Sequence, residues 1–208
     1  MLIRAATRKL GVMTLIAYDA LAEESWTRLV QAGDEPAHPM HVVILATVGA
    51  GGVPEARLMV LRGADRGLAK LWFYTDRRSE KTDQLRQQPQ VAAVTYDPED
   101  GVQLRLRGTA GVDESGPLAD QHWSQVGMAV RALYASPDTP GRPLRQPDPR
   151  LMGVKRSIDA GGEAAARGNF AVIEVALDSI EWLQVADGEQ RRAIMFAATN
   201  WSVQALAP

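Results

Sequence analysis

The feature that most constrains the fold is a series of short apolar runs, rich in β-branched and aromatic residues and separated by tight-turn sequences. Such runs are typical of strands, and clusters of Gly, Pro, Asn and Asp are typical of turns. Because the runs are short and mostly sequential, they favour an antiparallel barrel over alternating β-α-β units. We predict strands at His41–Val48, Glu55–Arg62, Ala69–Thr75, Gln90–Tyr96, Val102–Val112, Phe170–Leu177, Glu181–Val185, Arg191–Ala197 and Trp201–Leu206.

Helical patterns flank these strands, so the predicted fold class is mainly β with some α (β + α). We predict helices at Asp19–Val30, Ser79–Gln87, Pro117–Tyr134 and Leu151–Arg167, the last interrupted at Gly161-Gly162. Asp19 and Ser79 are suitable N-cap residues, and Gly33 is a suitable helix stop. The prolines between residues 136 and 150 exclude regular helix or a central strand, and they predict a proline-rich loop.

Composition limits the functional classes. The chain has 208 residues, of which 46% are apolar, and this predicts one domain over residues 1–208 with a loosely held tail at 1–12. A net charge of −2 argues against an obligate nucleic-acid partner. No apolar run approaches the roughly 20 residues that span a bilayer, so we predict no membrane association. The absence of cysteine excludes disulfides, thiolate nucleophiles and cysteine-bound metals, and is compatible with the cytoplasmic location that we predict.

One candidate site is the strand that carries Arg57 and Arg62 at its ends. Exposed arginines are common, so solvated strand ends explain the pattern about as well as a binding site does. Because strand side chains alternate, these two arginines lie on opposite faces unless a bulge intervenes.

A second candidate site lies between Tyr74 and Lys81, where a strand ends and a helix begins. Here backbone N–H groups, the Thr75 and Ser79 hydroxyls and several cations come together, which is typical of a phosphate site. The alternative is that Ser79 caps the helix beside a solvated charge cluster.

A third pattern sends Gln103, Arg105 and Arg107 to one face of a strand, where they face solvent or line a cofactor cleft or dimer contact. Among the histidines, His38 and His41 have no third ligand nearby, so we predict no metal site. His122, next to a tryptophan, is interpreted as helix surface or interface.

Together these motifs resemble the pyridoxamine 5'-phosphate oxidase-like family, in particular its smaller, less specialised FMN-binding branch. The resemblance consists of an Arg-x-x-x-x-Arg strand, Tyr-Thr ending the next strand, Ser-x-Lys opening a helix, Gln88-Pro89 and an alternating strand that runs from Gln103 to Gly108. It covers Val42–Val112 and Phe170–Pro208.

The resemblance implies a split β-barrel of about six strands, assembled as a homodimer with FMN at the subunit interface. It implies that Arg57, Thr75, Ser79 and Lys81 hold the phosphate. It places around the flavin ring Leu58, Met59, Val60, Arg62, Tyr74, Gln103 and Trp182. Bound flavin would carry out the redox chemistry on a small-molecule substrate.

Several positions depart from the family pattern. Glu80 stands where oxidases of the family carry a phosphate-binding Arg, and Arg77 or Arg78 would have to compensate. The substrate-binding Arg-x-His is here Arg191-Arg192-Ala193, and Trp182 lies one position early. These differences leave three functions open: an FMN-dependent oxidoreductase with an unknown substrate, a flavin carrier or sensor without robust catalysis, and a split barrel with another redox cofactor such as deazaflavin or haem.

Overall fold

The computed structural model describes residues 17–143, 160–186 and 188–207. Its eight strands are β1 (Val42–Val48), β2 (Pro54–Asp65), β3 (Lys70–Asp76), β4 (Gln90–Asp97), β5 (Val102–Asp113), β6 (Phe170–Ala186), β7 (Glu189–Phe196) and β8 (Val203–Leu206). Its helices are α1 (Leu21–Asp34), α2 (Glu80–Gln87), α3 (Pro117–Gln125), α4 (Met128–Arg131) and α5 (Ala160–Asn169).

All eight strands form one antiparallel sheet in the order β3-β2-β1-β4-β5-β6-β7-β8. A further pairing of β3 with β6 closes the first six of these into a barrel, and β7 and β8 extend the sheet beyond it. The predicted six-stranded antiparallel barrel with flanking helices is therefore confirmed.

Strict alternation along the strands fills the barrel. On β1, Val43 and Leu45 are fully buried, whereas Val42 and Ile44 are 45% and 46% exposed. The same alternation on β3 buries Leu71 and Phe73, and all four buried residues belong to one apolar cluster. A second cluster, around Phe170, lies between the barrel and the helices α3 and α5. The barrel therefore has a filled interior and a separate aromatic layer on one outer face.

The two C-terminal runs predicted as separate strands form a single strand, β6. Its register against β5 shifts between Arg107 and Gly108, so that Asp178 has no partner across the ladder. This is a β-bulge, which bends a strand without ending it. A Cβ atom on Gly108 would lie 2.2 Å from the Ala176 carbonyl oxygen, so the bulge requires glycine there.

Three helix predictions were wrong in detail. Gly33 lies inside α1 instead of ending it. Glycine is required there by packing, because a Cβ atom would come within 2.7 Å of the Gly63 Cα where the helix packs on β2. The segment predicted as one helix from Pro117 is divided into α3, α4 and a 3-10 turn by an extended Gly127. The helix α5 continues through Gly161 and Gly162.

Several predictions lie outside the described residues: the 1–12 tail, the segment 144–150 of the proline-rich loop and the segment 151–159 of the last predicted helix. Within the described ranges, no helix has the length and apolar character needed to cross a bilayer.

Candidate functional site: an anion-binding corner of the barrel

Arg57 is held over the neighbouring strand by neutral acceptors. Because Arg57 is directly paired with Leu45 across β1 and β2, its guanidinium folds back onto β1. Its Nη1 donates to the Thr47 Oγ1 at 2.6 Å and the Leu45 carbonyl oxygen at 3.3 Å. Its Nη2 donates to the Gln84 Oε1 at 3.1 Å. These contacts fix the guanidinium but leave its charge unmatched.

Thr47 and Gln84 form the support beneath Arg57. Both are nearly inaccessible, at 3% and 5% exposure, and the Thr47 hydroxyl donates to the Gln84 Oε1 at 2.6 Å. Since Thr47 lies on β1 and Gln84 on α2, this bond also ties the helix to the barrel. Buried polar groups that are fully hydrogen-bonded specify one geometry, so Arg57 is oriented before any ligand arrives.

Lys81 and two hydroxyls complete this corner of the barrel. The Lys81 Nζ donates to the Ser79 Oγ at 3.0 Å and to the Thr75 Oγ1 at 3.2 Å. The two hydroxyl oxygens lie 3.1 Å apart, and both residues are buried, at 4% and 5% exposure. We call Arg57, Thr75, Ser79 and Lys81 the anion corner.

Ser79 does not act as the helix cap that the alternative interpretation required. It occupies the N-cap position of α2, but its side chain makes no cap hydrogen bond. Its hydroxyl instead donates to the Asp76 carbonyl oxygen at 2.6 Å and accepts a hydrogen bond from the Lys81 Nζ. The first-turn N–H groups of α2 are therefore not covered by the residue best placed to cap them.

The electrostatics of the anion corner favour a negatively charged ligand. Burial lowers the pKa of Lys81, and the nearby charge of Arg57 lowers it further. Burial also lowers the pKa of Arg57, against the opposing effect of Glu55 and Glu80. Among the ion pairs formed by the described residues, none involves Arg57 or Lys81. An anion bound between the two cations would offset the free-energy cost of burying each positive charge.

Both neighbouring arginines are directed away from the anion corner. Arg78 grips Asp76 with two hydrogen bonds, at 2.9 and 2.7 Å, and donates at 3.0 Å to the Ser136 carbonyl oxygen. The Arg77 guanidinium lies 3.8 Å from the Glu114 carboxylate. Both side chains are therefore directed to other partners, and Arg78 ties the loop after α4 to the end of β3.

Arg62 and Tyr74 form a second group on the face of the sheet opposite Arg57, although a bulge intervenes between the two arginines. Arg62 is the extra residue of a bulge, since Leu61 pairs with Phe73 and Gly63 with Trp72. Its guanidinium lies over the Tyr74 ring, 5.2 Å from the centroid, and its buried Nε has no hydrogen-bond partner among the described residues.

The remaining predicted residues are distributed around the barrel. Leu58 is 69% exposed beside the anion corner, Met59 is buried and Val60 is partly buried. Gln103 is paired between Tyr96 and Leu183 and makes no side-chain contact with the corner within the described ranges. Trp182 is fully buried in the barrel core, so the structure does not present its ring to a ligand.

Three residues of this region were not identified from the sequence. Thr47 is one of several β-branched residues in its strand and Gln84 one of many polar residues in its helix, so neither carries a distinguishing local signal. His122 was interpreted as helix surface or interface, yet it contacts Tyr74. The other two histidines make backbone hydrogen bonds, His38 with Met40 and His41 with Ala32.

The structure therefore combines a six-stranded antiparallel barrel with two cations and two hydroxyls near the junction of β3 and α2. Residues 23–114 match the family model for the pyridoxamine 5'-phosphate oxidase FMN-binding domain. The matched range includes the whole anion corner together with Arg62, Tyr74 and Gln103.

Full-length relatives agree with this match. The chain is 27% identical over 195 residues to a pyridoxine/pyridoxamine 5'-phosphate oxidase of Roseobacter denitrificans, covering 89% of this chain and 92% of that protein. It is 30% identical over 121 residues to pyridoxine/pyridoxamine 5'-phosphate oxidase 2 of Arabidopsis thaliana, covering 55% of this chain and 60% of that protein.

Solved structures share the fold. A pyridoxamine 5'-phosphate oxidase-related, FMN-binding protein from Nostoc punctiforme superposes with a TM-score of 0.68 at 24% identity, over 94% of this chain and 100% of that one. PhzG from Burkholderia lata, solved with tetrahydrophenazine-1-carboxylic acid, superposes with a TM-score of 0.70 at 17% identity, over 95% of this chain and 100% of that one. The chain is thus similar to the pyridoxamine 5'-phosphate oxidase-like FMN-binding proteins, and it matches the FMN-binding domain of that family over residues 23–114.

Proposed function

We propose that this protein is an FMN-dependent oxidoreductase that holds the cofactor phosphate in the anion corner. The observation that supports this most strongly is that both cations donate to buried hydroxyls, Arg57 to Thr47 and Lys81 to Thr75 and Ser79. Neither cation forms an ion pair among the described residues. A dianionic phosphate needs cations and O–H or N–H donors together. The family match supplies the identity of the ligand that carries this phosphate.

The flavin ring would then extend from the anion corner along β2. Leu58 and Val60 offer an apolar surface there, and Arg62 lies five residues beyond Arg57 at the other end of the strand. When bound, FMN supplies hydride and electron transfer, and the protein contributes orientation and electrostatics. Arg62, whose Nε is buried and unpaired, would stabilise negative charge on a reduced flavin.

Reconstitution with FMN tests cofactor binding. Flavin-free protein is titrated with FMN, and quenching of flavin fluorescence gives the Kd. We expect Arg57→Met to weaken FMN binding by about 10- to 100-fold, since a charge-assisted hydrogen bond contributes roughly 1.5–3 kcal/mol. Arg86→Met is the matched control, because Arg86 is half-exposed on α2 and pairs with Glu114. Wild-type protein that leaves FMN fluorescence unchanged would contradict the proposal.

We further propose that two copies of the chain associate through the outer face of β1 and β2. Ile44 and Leu58 are directly paired there and are 46% and 69% exposed. Val42 pairs with Val60 one step along the same face. Exposed contiguous apolar surface of this kind marks interaction sites, and a second copy would cover both this surface and a flavin lying on it.

Light scattering of Leu58→Glu tests this assembly. We expect wild-type protein to have the mass of a dimer, and the variant to be monomeric with weaker FMN binding. Leu68→Glu is the control, since Leu68 is similarly exposed, at 59%, but lies in the turn after β2. A wild-type monomer that still binds FMN would contradict the dimer without affecting the phosphate site.

The oxidase activity named for the relatives is not part of this proposal. Arg192 is bound to Glu181 at 2.6 Å, and the Arg191 guanidinium lies over the rings of Tyr18 and Trp182. Both arginines of the C-terminal pattern are therefore engaged within the chain, which favours a different small-molecule substrate. The same observation supports a second candidate, a flavin carrier or sensor. Bound FMN that NAD(P)H never reduces would favour the carrier, and steady turnover with an acceptor would favour the oxidoreductase.

A further inference from the structure

Tyr74 and His122 form a hydrogen-bonded pair between β3 and α3. The Tyr74 hydroxyl lies 3.1 Å from the His122 Nδ1, and their rings meet edge to face with centroids 5.5 Å apart. Within the described ranges, His122 is the only hydrogen-bond partner of the Tyr74 hydroxyl. The imidazole therefore determines in which direction this hydroxyl points.

The surroundings hold the Tyr74 ring in one place. Phe170 packs against it edge to face at 5.0 Å, and the Arg62 guanidinium lies over it at 5.2 Å. Trp72 lies 5.9 Å from the imidazole. Because the rings are held by this packing, a change in protonation would alter the hydrogen bond more than the positions of the rings.

The protonation states near neutral pH decide which hydrogen bonds this pair can form. Burial raises the pKa of Tyr74, so its hydroxyl keeps its proton. Burial lowers the pKa of His122, although the charge of Glu174 opposes this, so the imidazole is neutral near pH 7. In the tautomer of this neutral imidazole that carries its proton on the Nε2, Tyr74 donates to the His122 Nδ1.

The other groups that face His122 do not titrate in the same pH range. Glu174, from β6, accepts hydrogen bonds from the Trp72 Nε1 at 2.9 Å and pairs with Lys70 at 2.7 Å, and these contacts lower its pKa. Arg62, from β2, places its guanidinium over the Tyr74 ring. Tyr134, in the same aromatic cluster, has its pKa raised by burial to about 12. In mild acid, His122 is therefore the group of this cluster that gains a proton.

We infer that His122 is a positioning residue whose protonation reverses the Tyr74–His122 hydrogen bond and frees the Tyr74 hydroxyl to donate to a bound ligand. An imidazolium donates through both nitrogens, so the Tyr74 oxygen must become the acceptor, and its proton is released for another partner. The ligand part of this inference rests on the proposed function, because Tyr74 and Arg62 lie where the flavin is expected. Flavin binding would then be tighter in mild acid.

Proton NMR of the ligand-free protein tests the pairing itself. The chain has three histidines, and the imidazole signal that disappears in His122→Asn is that of His122. We expect the pKa of His122 to lie below the ordinary value of about 6.5. It should fall further in Tyr74→Phe, because the imidazolium loses the charge-assisted bond that it donates to the Tyr74 oxygen, and this bond is stronger than the one that the neutral imidazole loses. A His122 pKa that is unchanged in Tyr74→Phe would overturn the inference.

FMN titrations from pH 5 to pH 8 test the consequence for the ligand. We expect wild-type protein to bind FMN about 3- to 10-fold tighter than His122→Asn at pH 5.5, consistent with one added hydrogen bond, and equally at pH 8. The asparagine can still accept from Tyr74 but does not titrate, and the ionisation of the FMN phosphate is common to both proteins. His38→Asn, which replaces a histidine without contact to Tyr74, should follow wild type.

The outcomes separate the two proposals. Identical pH profiles for wild type and His122→Asn would overturn the inference while leaving FMN binding intact. Absence of FMN binding at every pH would contradict the proposed function and the ligand part of the inference, whereas the NMR shift would still support the Tyr74–His122 pairing.

Discussion

Two arginines of this protein lie in contrasting electrostatic surroundings. Arg28, on α1, contacts three carboxylates: Glu24, Asp97 at 2.6 Å and Asp100 at 2.5 Å. Arg57, on β2, contacts only a hydroxyl, an amide oxygen and a carbonyl oxygen, and it lies near a second cation. The first guanidinium forms ion pairs with carboxylates, whereas the second forms none among the described residues and feels Glu55 and Glu80 only at longer range.

This difference separates a structural arginine from one suited to bind a ligand. A buried charge is tolerated when it is paired, and a matched cluster such as that of Arg28 joins α1 to the turn between β4 and β5. A cation left without a counter-ion carries a penalty that an incoming anion relieves. The comparison therefore predicts that changes around Arg28 affect stability, whereas changes around Arg57 affect ligand affinity.

The largest effect is expected from Arg28→Met. Removing this cation leaves the Asp97 side chain, which is only 8% exposed, without its partner, and breaking a buried pair costs roughly 3 kcal/mol. Urea unfolding monitored by tryptophan fluorescence measures the loss. The matched control is Arg66→Met, because its partner Glu23 is 65% exposed, and we expect less than about 1 kcal/mol there. Equal losses in the two variants would show that the Arg28 cluster is not a stabilising clamp.

Gln84→Leu is expected to have the next largest effect, on affinity. Without the Gln84 Oε1, the Arg57 guanidinium loses the acceptor that orients it, and we expect FMN to bind about 5- to 10-fold more weakly, the effect of roughly one hydrogen bond. Riboflavin binding should change less than about 2-fold, because the phosphate is absent. Gln87→Leu, an exposed position on the same helix, is the control. Parallel weakening of both ligands by Gln84→Leu would indicate a general packing defect.

The residues changed in these two variants also show which parts of the structure could be predicted from the sequence. The strands were predicted within a few residues because alternation and turn residues are local signals, and the four residues of the anion corner lie near recognisable strand and helix ends. The Arg57–Thr47–Gln84 contacts depend on the pairing of β1 with β2 and on the way α2 crosses the barrel. Such contacts are set by tertiary structure, which a local pattern does not contain.

The same reasoning explains the wrong predictions. Gly33 has the local signature of a helix stop, but its role is close packing against Gly63. Leu177-Asp178-Ser179 has the signature of a strand break, but neighbouring strands on both sides carry β6 through a bulge. In both cases tertiary packing overrides the local preference.

A smaller effect, of opposite sign, is expected for Lys81→Met in the absence of ligand. The pKa of Lys81 is lowered in the folded state, so the charged form costs stability at pH 7, and this cost disappears as pH rises toward the unfolded pKa of about 10.5. We expect the variant to melt about 1–3 °C higher than wild type at pH 7, with a smaller difference near pH 10. Lys70→Met, which removes a cation paired with Glu174, should instead lower the Tm slightly. A lower Tm for Lys81→Met would contradict the conclusion that the charge of Lys81 destabilises the ligand-free protein.

The smallest effect is expected for Glu80→Gln. Glu80 is exposed, and its carboxylate partly offsets the charge of Arg57. Removing it should strengthen FMN binding about 2- to 3-fold at low salt, and the gain should vanish at about 1 M salt because exposed charges are screened. Asp83→Asn, on the same helix, controls for the general change in charge. An increase in FMN affinity that persists at high salt would indicate a direct contact between residue 80 and FMN instead.

The most direct test of the anion corner compares FMN with riboflavin, which lacks only the phosphate. We expect wild-type protein to bind FMN at least about 30-fold tighter than riboflavin, and Lys81→Ala to reduce FMN affinity by about 10- to 100-fold while changing riboflavin affinity by less than about 2-fold. Equal losses of FMN and riboflavin affinity in Lys81→Ala would show that Lys81 does not contact the phosphate, and would contradict the assignment of this corner as the phosphate site.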